Sequence, residues 1–456
     1  MNLYDKNVLL VGLGLQGGGV STVKWLVKQG AKVTVTDLKT KKQLTKSLQA
    51  LKNLPITYQL GKHPLNILQG KDLIVQNPGV PNEAPLIKKA LAGRLPIENE
   101  ASLFFKACPA PIMAVTGSKG KSTVVAWLGK IFSLYNKRTI IAGNIKDRLM
   151  LEELVRIKSN TPVILELSSW HLEGLARWRL SPDFALITNI LPDHMNRYPN
   201  FSDYVQAKEN IYRFQKPNDI VILNYDNQAT RKLSSHVPSD LFCYSTSPMV
   251  TNGCYLKKGF AWCRINKKSK KLFNISIIKL VGHHNLENAL AAATLSFIAG
   301  VPIKYIKQGI SEFKGLHSRL ELIASQNGVK YYNDTTATVP DATQAALNSF
   351  INIPITLIAG GSDKNLSYRI LAKKIVQRVN YLILLPGTAS AKLLKELTAK
   401  YKVQIVPNMR QAVKYAAKIT PKGGVVLMSP AAASFGLFIN EWDRGEQFIK
   451  AVKSLD

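Results

Sequence analysis

Residues 114–123 read Ala-Val-Thr-Gly-Ser-Lys-Gly-Lys-Ser-Thr, a glycine-rich loop between an apolar run and a helical pattern. A strand, such a loop and a helix in this order are typical of a phosphate-binding loop in a parallel α/β sheet. Glycine lets backbone amides approach phosphate, lysine neutralises the terminal phosphates, and a hydroxyl binds Mg²⁺. The predicted ATP-binding residues are Gly117, Ser118, Lys119, Gly120, Lys121, Ser122 and Thr123.

A second glycine-rich turn, Gly12-Leu-Gly-Leu-Gln-Gly17, follows the first apolar run of the chain. It opens a helical pattern, and Asp37 ends the next predicted strand twenty residues after Gly17. This arrangement favours a dinucleotide-type binding site, since the turn brings backbone close to phosphate and the acid can bind ribose. A tight structural turn that binds nothing is the alternative.

Outward from these loops, short apolar strands alternate with helical patterns, which indicates parallel α/β domains. A proline-containing segment at 108–111 and the irregular run at 313–316 interrupt this alternation. Because 456 residues exceed one ordinary domain, we predict three. Their expected bounds are 1–106, 107–313 and 314–456.

Cysteine content and hydropathy indicate the cellular location of the protein. The four cysteines show no CxxC spacing and are expected to be reduced, and neither a signal peptide nor an apolar run long enough to span a membrane is apparent. These features predict a cytoplasmic protein without a transmembrane segment.

The formal net charge of +32 raises the possibility of a nucleic-acid ligand, but the excess is distributed along the whole chain. The densest lysine cluster, at 257–271, is expected at a hairpin tip between strands at 260–265 and 272–278, and a solvated face is the favoured interpretation. We therefore predict no specific nucleic-acid binding.

Two acidic segments follow predicted strands. Glu166 ends an apolar run, from which a carboxylate can reach Mg²⁺ at the phosphate-binding loop, and the polar run at 168–171 follows it. The segment 188–198 places Asp193, His194 and Arg197 within five residues. Because Mg²⁺ prefers oxygen ligands, a packed or hydrogen-bonding His194 is the interpretation that the residues alone favour.

Taken in order, the motifs resemble those of the Mur ligase family over nearly the whole chain. They are GSKGKST at 117–123, ELSSWHLE at 166–173, TNILPDHMNRY at 188–198, Ala207-Lys208, GHHNLENALAAA at 282–293, GLHSRLE at 315–321 and NDTTAT at 333–338. The C-terminal run 429–448, from SPAAASF onward, is similar to that of the members that add D-glutamate. The resemblance implies a Rossmann-like UDP-binding domain, a central P-loop ATPase-type domain and a Rossmann-like C-terminal domain that binds the amino acid.

The family resemblance also implies an activity. ATP would phosphorylate the carboxylate of UDP-N-acetylmuramoyl-L-alanine, and D-glutamate would attack the acyl-phosphate, in cytoplasmic synthesis of peptidoglycan precursors by a monomeric enzyme. The implied UDP-substrate residues are Gly14, Leu15, Gln16, Asp37, Gly79 and Asn144. The implied amino-acid-binding residues are Thr338, Lys364, Ser434 and Phe435. Further implied ATP-binding residues are Asn285, Asn288, Arg319 and Asp334.

The resemblance implies catalytic roles for Lys121, His194 and Lys208. Two Mg²⁺ sites are implied, one held by Ser122 and Glu166 and the other by His194 with Lys208 in an N-carbamylated form. Carbamylation turns an ammonium into a carboxylate-like acceptor, which suits a hard cation. Without the resemblance, Lys208 would be interpreted as a surface lysine on a helix.

Several positions depart from the family pattern. Thr336 stands where the glutamate-adding members carry a lysine, Asn196 replaces an acid and Ser318 replaces a histidine. Glu441 stands where an aromatic residue is common, and we expect it to face solvent or to pair with a base. These changes leave the identity of the amino acid open.

Alternatives therefore remain at the level of sequence. A related ligase could add another amino acid, such as L-glutamate, or use another carboxylate acceptor, such as a folate or a storage polymer. A nucleic-acid-binding P-loop ATPase would account for the charge, and a scaffold without catalytic activity would account for the lost residues.

Overall fold

The computed structural model describes residues 2–15, 17–145, 148–192, 197–397 and 401–455. The chain forms two compact units. Unit 1 comprises residues 1–278 and 287–312, and unit 2 comprises residues 279–286 and 313–456. The three predicted domain bounds stay a prediction, because the N-terminal and central sheets lie together in unit 1.

The first sheet of unit 1 is parallel, with strand order β3-β2-β1-β4-β5. Its strands are β1 (Asn7–Val11), β2 (Lys32–Asp37), β3 (Ile56–Leu60), β4 (Leu73–Gln76) and β5 (Ile97–Glu98). The accompanying helices are α1 (Gly18–Lys28), α2 (Thr45–Gln49), α3 (Pro85–Ala92) and α4 (Glu100–Ala107). Because the chain order runs outward from β1 on one side and from β4 on the other, a crevice opens beyond their carboxyl ends.

The second sheet of unit 1 has the order β14-β13-β12-β11-β10-β9-β6-β8-β7. Its strands are β6 (Ile112–Thr116), β7 (Ile140–Gly143), β8 (Val163–Glu166), β9 (Phe184–Ile187), β10 (Ile220–Asn224), β11 (Asp240–Ser245), β12 (Gly253–Lys257), β13 (Phe260–Ile265) and β14 (Lys268–Asn274). All pairings are parallel except those of β13 with its two neighbours.

The helices of this central region connect its parallel strands and follow the sheet. They are α5 (Lys121–Tyr135), α6 (Met150–Glu153), α7 (Ser169–Arg177), α8 (Phe201–Glu209), α9 (Gln228–Leu233), α10 (His283–Ile298) and α11 (Ile303–Glu312). The strands at the centre of the sheet are buried apolar runs, as expected for a sheet covered on both faces. Short 3₁₀ helices lie at Leu65–Leu68, Leu154–Arg156, Ser234–His236 and Ile275–Ile277.

Unit 2 contains a sheet of order β15-β16-β20-β17-β18-β19, in which only the pairing of β15 with β16 is antiparallel. The strands are β15 (Glu321–Gln326), β16 (Val329–Asn333), β17 (Ile355–Gly360), β18 (Tyr381–Leu385), β19 (Val403–Ile405) and β20 (Val425–Met428). The helices are α12 (Pro340–Leu347), α13 (Arg369–Arg378), α14 (Thr388–Glu396), α15 (Met409–Ile419) and α16 (Glu441–Lys453). Buried apolar clusters on both faces of this sheet form its core.

The lysine-rich segment agrees with its prediction at Lys258 and Lys267, which lie in hairpin turns, and differs from it elsewhere. Lys268, Lys270 and Lys271 lie within β14 rather than at a hairpin tip, because this strand begins at Lys268 instead of Leu272. β14 is the edge of its sheet, where exposed lysines prevent pairing with another strand. Much of the local charge therefore protects a sheet edge.

No helix in the described part of the chain is long and apolar enough to cross a membrane.

Candidate active site

The phosphate-binding loop joins β6 to α5 and tolerates only glycine at its first position. Gly117 has φ 148°, and a Cβ there would lie 1.9 Å from Thr188 Oγ1. Gly120 has φ 86°, and a Cβ there would lie 2.4 Å from Asn288 Oδ1. Both glycines allow other segments of the polypeptide to approach the loop closely. The predicted ATP-binding residue Asn288 lies against the loop.

Two lysine ammonium groups meet at the carbonyl oxygen of Gly117. Lys121 Nζ donates to this oxygen at 2.8 Å and to Ser118 O at 3.2 Å. Lys208 Nζ, on α8, donates to the same Gly117 oxygen at 3.0 Å and lies 4.7 Å from the ring centroid of Tyr204. The Lys208 side chain is buried, so the surface-lysine interpretation is wrong.

Part of the loop is engaged by protein rather than open to a ligand. The Ser118 backbone N–H donates to Asn189 O, and its hydroxyl donates to Leu191 O and contacts Tyr204 OH. The Lys119 backbone N–H donates to Asn189 Oδ1. The first turn of α5, which begins at Lys121, is therefore the better place for phosphate, since the first N–H groups of a helix lack intrahelical acceptors.

Glu166 ends β8 as predicted, with 2% of its surface exposed. Its Oε1 accepts a hydrogen bond from Asn144 Nδ2 at 3.3 Å, and its Oε2 is buried with no hydrogen-bond partner among the residues that the structure describes. A buried carboxylate oxygen without a donor is costly unless a cation is bound there. This donor set fits Mg²⁺, which prefers carboxylate and hydroxyl oxygens. In the described part of the chain, no three His, Cys, Asp or Glu side chains form a metal-binding group.

Of two histidines in this region, the structure describes His171 but not His194. His171 caps α7 together with Ser168, and burial lowers its pKa to about 4, so it is a neutral structural residue. His194, with Asp193 and Asn196, lies outside the described residues. Its predicted role as a metal ligand stays a prediction.

The predicted UDP-binding residues of the N-terminal sheet share its carboxyl edge. Gly14 and Leu15 follow β1, Asp37 ends β2, and Gly79 follows β4. Asp37 Oδ2 accepts from the Gly14 backbone N–H at 3.0 Å, and its Oδ1 accepts from the Lys39 N–H at 2.8 Å. Asp37 therefore holds the glycine turn in addition to any ligand it binds, and Gln16 lies outside the described residues.

Asn144 lies at the carboxyl edge of the central sheet rather than that of the N-terminal sheet. It follows β7 in the central sheet, and its backbone N–H donates to Glu166 O at 2.8 Å. The side chain and backbone of Asn144 therefore both contact Glu166, so a substrate contact at Asn144 would adjoin the proposed metal position.

In unit 2, the loops after β16, β17 and β20 meet at the carboxyl ends of three adjacent strands. Lys364 Nζ donates to Thr338 Oγ1 at 2.9 Å. Ser362 Oγ donates to Phe435 O at 2.6 Å, which places the loop after β17 beside the loop that carries Ser434. Ser434 is buried, whereas the Phe435 ring is 68% exposed. The four predicted amino-acid-binding residues are thus brought together.

Among the predicted nucleotide residues of unit 2, Asp334 is a buried acid. Asp334 Oδ2 accepts from Ser429 Oγ at 2.8 Å, and its Oδ1 accepts from the Leu320 N–H at 3.2 Å. Burial raises the pKa of Asp334 to about 7, and the charge of Arg319 opposes that rise. Asn285, near the start of α10, donates from Nδ2 to Val281 O at 2.8 Å and so satisfies a backbone carbonyl four residues earlier.

The positions that depart from the family pattern have definite environments. Thr336 Oγ1 donates to Ser318 O at 2.9 Å, so the threonine joins two loops instead of supplying a cation. Ser318 is fully buried with φ 65°. Glu441 is partly exposed. Burial lowers the pKa of Arg444, and the charge of Glu441 opposes that shift, so Glu441 lies near a base, while its pairing with that base stays a prediction.

Sequence reasoning missed three residues that organise these sites. Tyr204 lies four residues before Lys208 on the same face of α8, so this spacing in the sequence could have indicated that the two side chains are neighbours. Arg444 is fully buried in α16, and Glu173 on α7 joins two loops. Nothing in the local pattern around Arg444 or Glu173 distinguishes it from a surface residue.

Three family models match the chain, one over the residues of each sheet. The model of the Mur ligase MurD-like N-terminal domain matches residues 6–98, that of the Mur ligase middle domain matches residues 115–296, and that of the Mur ligase glutamate ligase domain matches residues 318–432. Together these matches cover well over half of the chain.

Similar proteins extend over the full length. A UDP-N-acetylmuramoylalanine–D-glutamate ligase of Roseiflexus sp. (strain RS-1) is 39% identical over 466 residues, covering 100% of both chains. A protein of the same name from Caldanaerobacter subterraneus subsp. tengcongensis is 35% identical over 460 residues, also covering 100% of both.

Solved structures share the fold. UDP-N-acetylmuramate-alanine ligase MurC from Thermotoga maritima has a TM-score of 0.60 at 21% identity, covering 98% of this chain and 99% of that one. MurF from Acinetobacter baumannii has a TM-score of 0.60 at 16% identity, covering 100% and 92%.

Proposed function

The chain belongs to the Mur ligase family, and we propose that it joins D-glutamate to UDP-N-acetylmuramoyl-L-alanine with hydrolysis of ATP to ADP and phosphate. Full-length similarity to ligases that carry this name supports the choice of substrates. The reaction belongs to the synthesis of peptidoglycan precursors. The three α/β sheets agree with one binding region each for the UDP-sugar, ATP and the amino acid.

One observation carries the proposal for the chemistry: Lys121 and Lys208 converge on Gly117 O from different helices. The Lys121 ammonium places positive charge at the start of α5, where phosphate groups are stabilised, and Lys208 reaches the same carbonyl from α8, so its side chain also lies beside the phosphate-binding loop. A site that transfers a phosphoryl group needs this charge, since negative charge accumulates on the transferred group and on the leaving oxygen.

The reaction proceeds in two steps. An oxygen of the alanine carboxylate attacks the γ-phosphorus of ATP, the bond to the β,γ-bridging oxygen breaks, and ADP leaves with an acyl-phosphate formed. The neutral amine of D-glutamate then attacks the acyl carbon, phosphate leaves with its bonding electrons, and the amine loses a proton. Alignment of the reactants and neutralisation of charge are the main contributions of the protein.

Mg²⁺ would neutralise the phosphate oxygens when bound. Ser122 and Glu166 would hold one ion, and the buried Oε2 of Glu166, which lacks a hydrogen-bond partner within the described part of the chain, supports this assignment. His194 and Lys208 would hold a second. Lys121 would bind the terminal phosphates, beside the first turn of α5.

For the second ion, Lys208 would need the N-carbamylated form, in which the neutral amine has added CO₂ and released a proton. The buried position of Lys208 supports this change, because a modified lysine replaces a buried cation that would repel the metal. Dependence of the activity on added bicarbonate tests it.

Unit 2 would supply the amino-acid site. Lys364 and Thr338 would bind a carboxylate of D-glutamate, with Ser434 and Phe435 from the neighbouring loop. Because Thr336 carries no charge, Lys364 would be the main cation for that carboxylate. A related ligase with another amino acid, or another carboxylate acceptor, is the competing function that this substitution favours.

The remaining assignments concern the nucleotides. Arg319, Asp334, Asn285 and Asn288 would contribute to ATP binding. Gly14, Leu15, Gln16, Asp37, Gly79 and Asn144 would contribute to UDP-substrate binding. We further propose that the enzyme acts as a cytoplasmic monomer with no specific nucleic-acid ligand, which light scattering and a salt titration of DNA binding would test.

The test of function is a ligation assay. Purified protein, ATP, Mg²⁺, bicarbonate and UDP-N-acetylmuramoyl-L-alanine are mixed with D-glutamate, L-glutamate or other amino acids, and phosphate release and product mass are measured. Phosphate release that depends on D-glutamate, with the matching product mass, is expected. Preference for another amino acid would establish the related ligase, and no turnover with any of them would contradict the proposal.

Lys121→Met and Lys130→Met form a matched pair for this assay, because both lysines lie on α5. Lys130 pairs with Glu312 at 2.7 Å on the surface, away from the loop. Lys121→Met is expected to lower kcat at least about a hundredfold, since it removes charge at the transferred phosphoryl group. Lys130→Met is expected to retain activity, and equal losses in both would contradict the assigned role.

A further inference from the structure

We propose that Glu173 is a positioning residue that joins the loop after β4 to the segment after β9, and thereby couples UDP-sugar binding to the Mg²⁺ requirement. The inference rests on the proposed function, in which Gly79 contacts the UDP-sugar and Lys208 contacts the metal. Gly79 lies in the loop after β4, and the segment after β9 contacts Tyr204, the neighbour of Lys208, through Tyr198.

The carboxylate of Glu173 accepts hydrogen bonds from both segments. Its Oε2 accepts from Asn82 Nδ2 at 3.0 Å and from Arg197 Nη2 at 2.8 Å, and its Oε1 accepts from Tyr198 OH. The Glu173 side chain is 18% exposed, and that of Arg197 is 16% exposed. Hydrogen bonds to a partly buried carboxylate are stronger than those between neutral groups, so this group can hold two loops in register.

On the side of β4, the hydrogen bonds continue into the substrate turn. Asn82 Oδ1 accepts from Gln76 Nε2 at 3.0 Å and from Arg177 Nη2, while Arg177 Nη1 donates to Gln76 Oε1 at 2.6 Å. Gln76 and Asn82 bracket the turn that carries Gly79. The ends of that turn are therefore fixed to α7.

On the side of β9, the contacts continue toward the phosphate-binding loop. The Arg197 guanidinium lies 4.8 Å from the Trp170 ring centroid, and the Tyr198 ring lies 5.2 Å from that of Tyr204. Tyr204 OH contacts Ser118 Oγ at 3.1 Å. The ring centroid of Tyr204 also lies 4.7 Å from Lys208 Nζ, so the segment that Glu173 anchors adjoins a proposed metal ligand on α8.

Charge explains why a carboxylate is required at this place. Arg177 and Arg197 both lie close to Glu173, and its charge raises the pKa of Arg177 against the effect of burial. Glu173→Gln keeps the shape but removes the charge and places an N–H₂ group among donors. At least one charge-assisted hydrogen bond is lost, which corresponds to about a tenfold change in an equilibrium constant.

The test compares Glu173→Gln, Tyr198→Phe and Asn82→Ala with the control Glu153→Gln, which breaks a surface pair with Arg156. Glu173→Gln is expected to raise the KM for the UDP-sugar and the Mg²⁺ concentration for half-maximal rate by about tenfold each, with the KM for D-glutamate within about twofold. Tyr198→Phe should change mainly the Mg²⁺ requirement and Asn82→Ala mainly the UDP-sugar KM. The control should change neither.

Binding and exchange measurements separate this inference from the proposed function. Calorimetry of the UDP-sugar without ATP should show about tenfold weaker binding to Glu173→Gln, and hydrogen exchange should quicken at residues 77–84 and 197–200 together. If the wild-type protein has no ligase activity, the proposed function fails while the exchange result still tests the coupling. Unchanged exchange in either segment, or equal changes in all three substrate constants, would overturn the inference.

Discussion

Arg444→Met tests how a buried cation supports the amino-acid site. Arg444 is fully buried in α16. Its Nε donates to Thr335 Oγ1 at 3.1 Å, its Nη2 to Thr335 O at 2.9 Å, and its Nη1 to Ala432 O at 3.1 Å. These bonds clamp the loop of Thr335 to the loop of Ala432, so the substitution should loosen both.

The expected loss of stability follows from two opposing effects. Three acceptors lose their donor, at about 2 kcal/mol each, or about 6 kcal/mol in all. Burial lowers the pKa of Arg444 from its ordinary value to about 10, which corresponds to a cost of about 3 kcal/mol that methionine removes. The net destabilisation of unit 2 is therefore about 3 kcal/mol.

Arg444→Lys sharpens the prediction because it keeps the charge. A compact ammonium cannot reproduce the three-way fork of the guanidinium, and it is more strongly hydrated than the guanidinium. About two acceptors remain unpaired and the burial cost remains. The lysine variant should therefore be destabilised by about 4 kcal/mol, at least as much as the methionine variant.

The assay is urea unfolding, with hydrogen exchange at residues 313–455 as the readout. A local readout is needed because a chain with several sheets need not unfold in one transition. Arg410→Met, at an exposed position on α15, is the matched control. In addition, the KM for D-glutamate should rise in both Arg444 variants while the KM for the UDP-sugar stays constant. A nearly wild-type lysine variant beside a severely destabilised methionine variant would refute the reasoning, since charge alone would then suffice.

Two further predictions concern pH and the amino-acid site. Burial raises the pKa of Glu100 from 4.5 to about 7, so the folded state binds more protons between those values and the free energy of unfolding should fall by up to about 3 kcal/mol as pH rises from about 4.5 to about 7. Glu100→Gln should flatten that fall in urea titrations, and an unchanged slope would exclude Glu100 as its source. Thr336→Lys should lower the KM for D-glutamate about two- to fivefold through a second cation, whereas Thr336→Met should not. Equal constants for these two variants would show that charge at this position is irrelevant.

Local sequence patterns predicted much of the fold and the outline of the site. The apolar runs of the parallel strands, the glycine turns after β1 and β6, and the acids at the ends of β2 and β8 all lie where they were expected. Such features depend on residues within a few positions of one another, so periodicity and turn chemistry suffice to find them. The lysines of β14 were misplaced because the strand is an exposed edge that lacks an apolar pattern in its first half.

By itself, the sequence determined the α/β class, the phosphate-binding loop and the family-like series of motifs, because each depends on short stretches of chain. Only the tertiary structure decided which groups meet. Lys208 contacts the carbonyl of Gly117 across 91 positions, and Arg444 contacts Thr335 across 109. The tertiary structure also decided that the Ser118 hydroxyl donates to Leu191 O and that, among the described residues, no group donates to Oε2 of Glu166. Hydrogen bonding and burial depend on distances between groups far apart in the chain, and no local pattern encodes those distances.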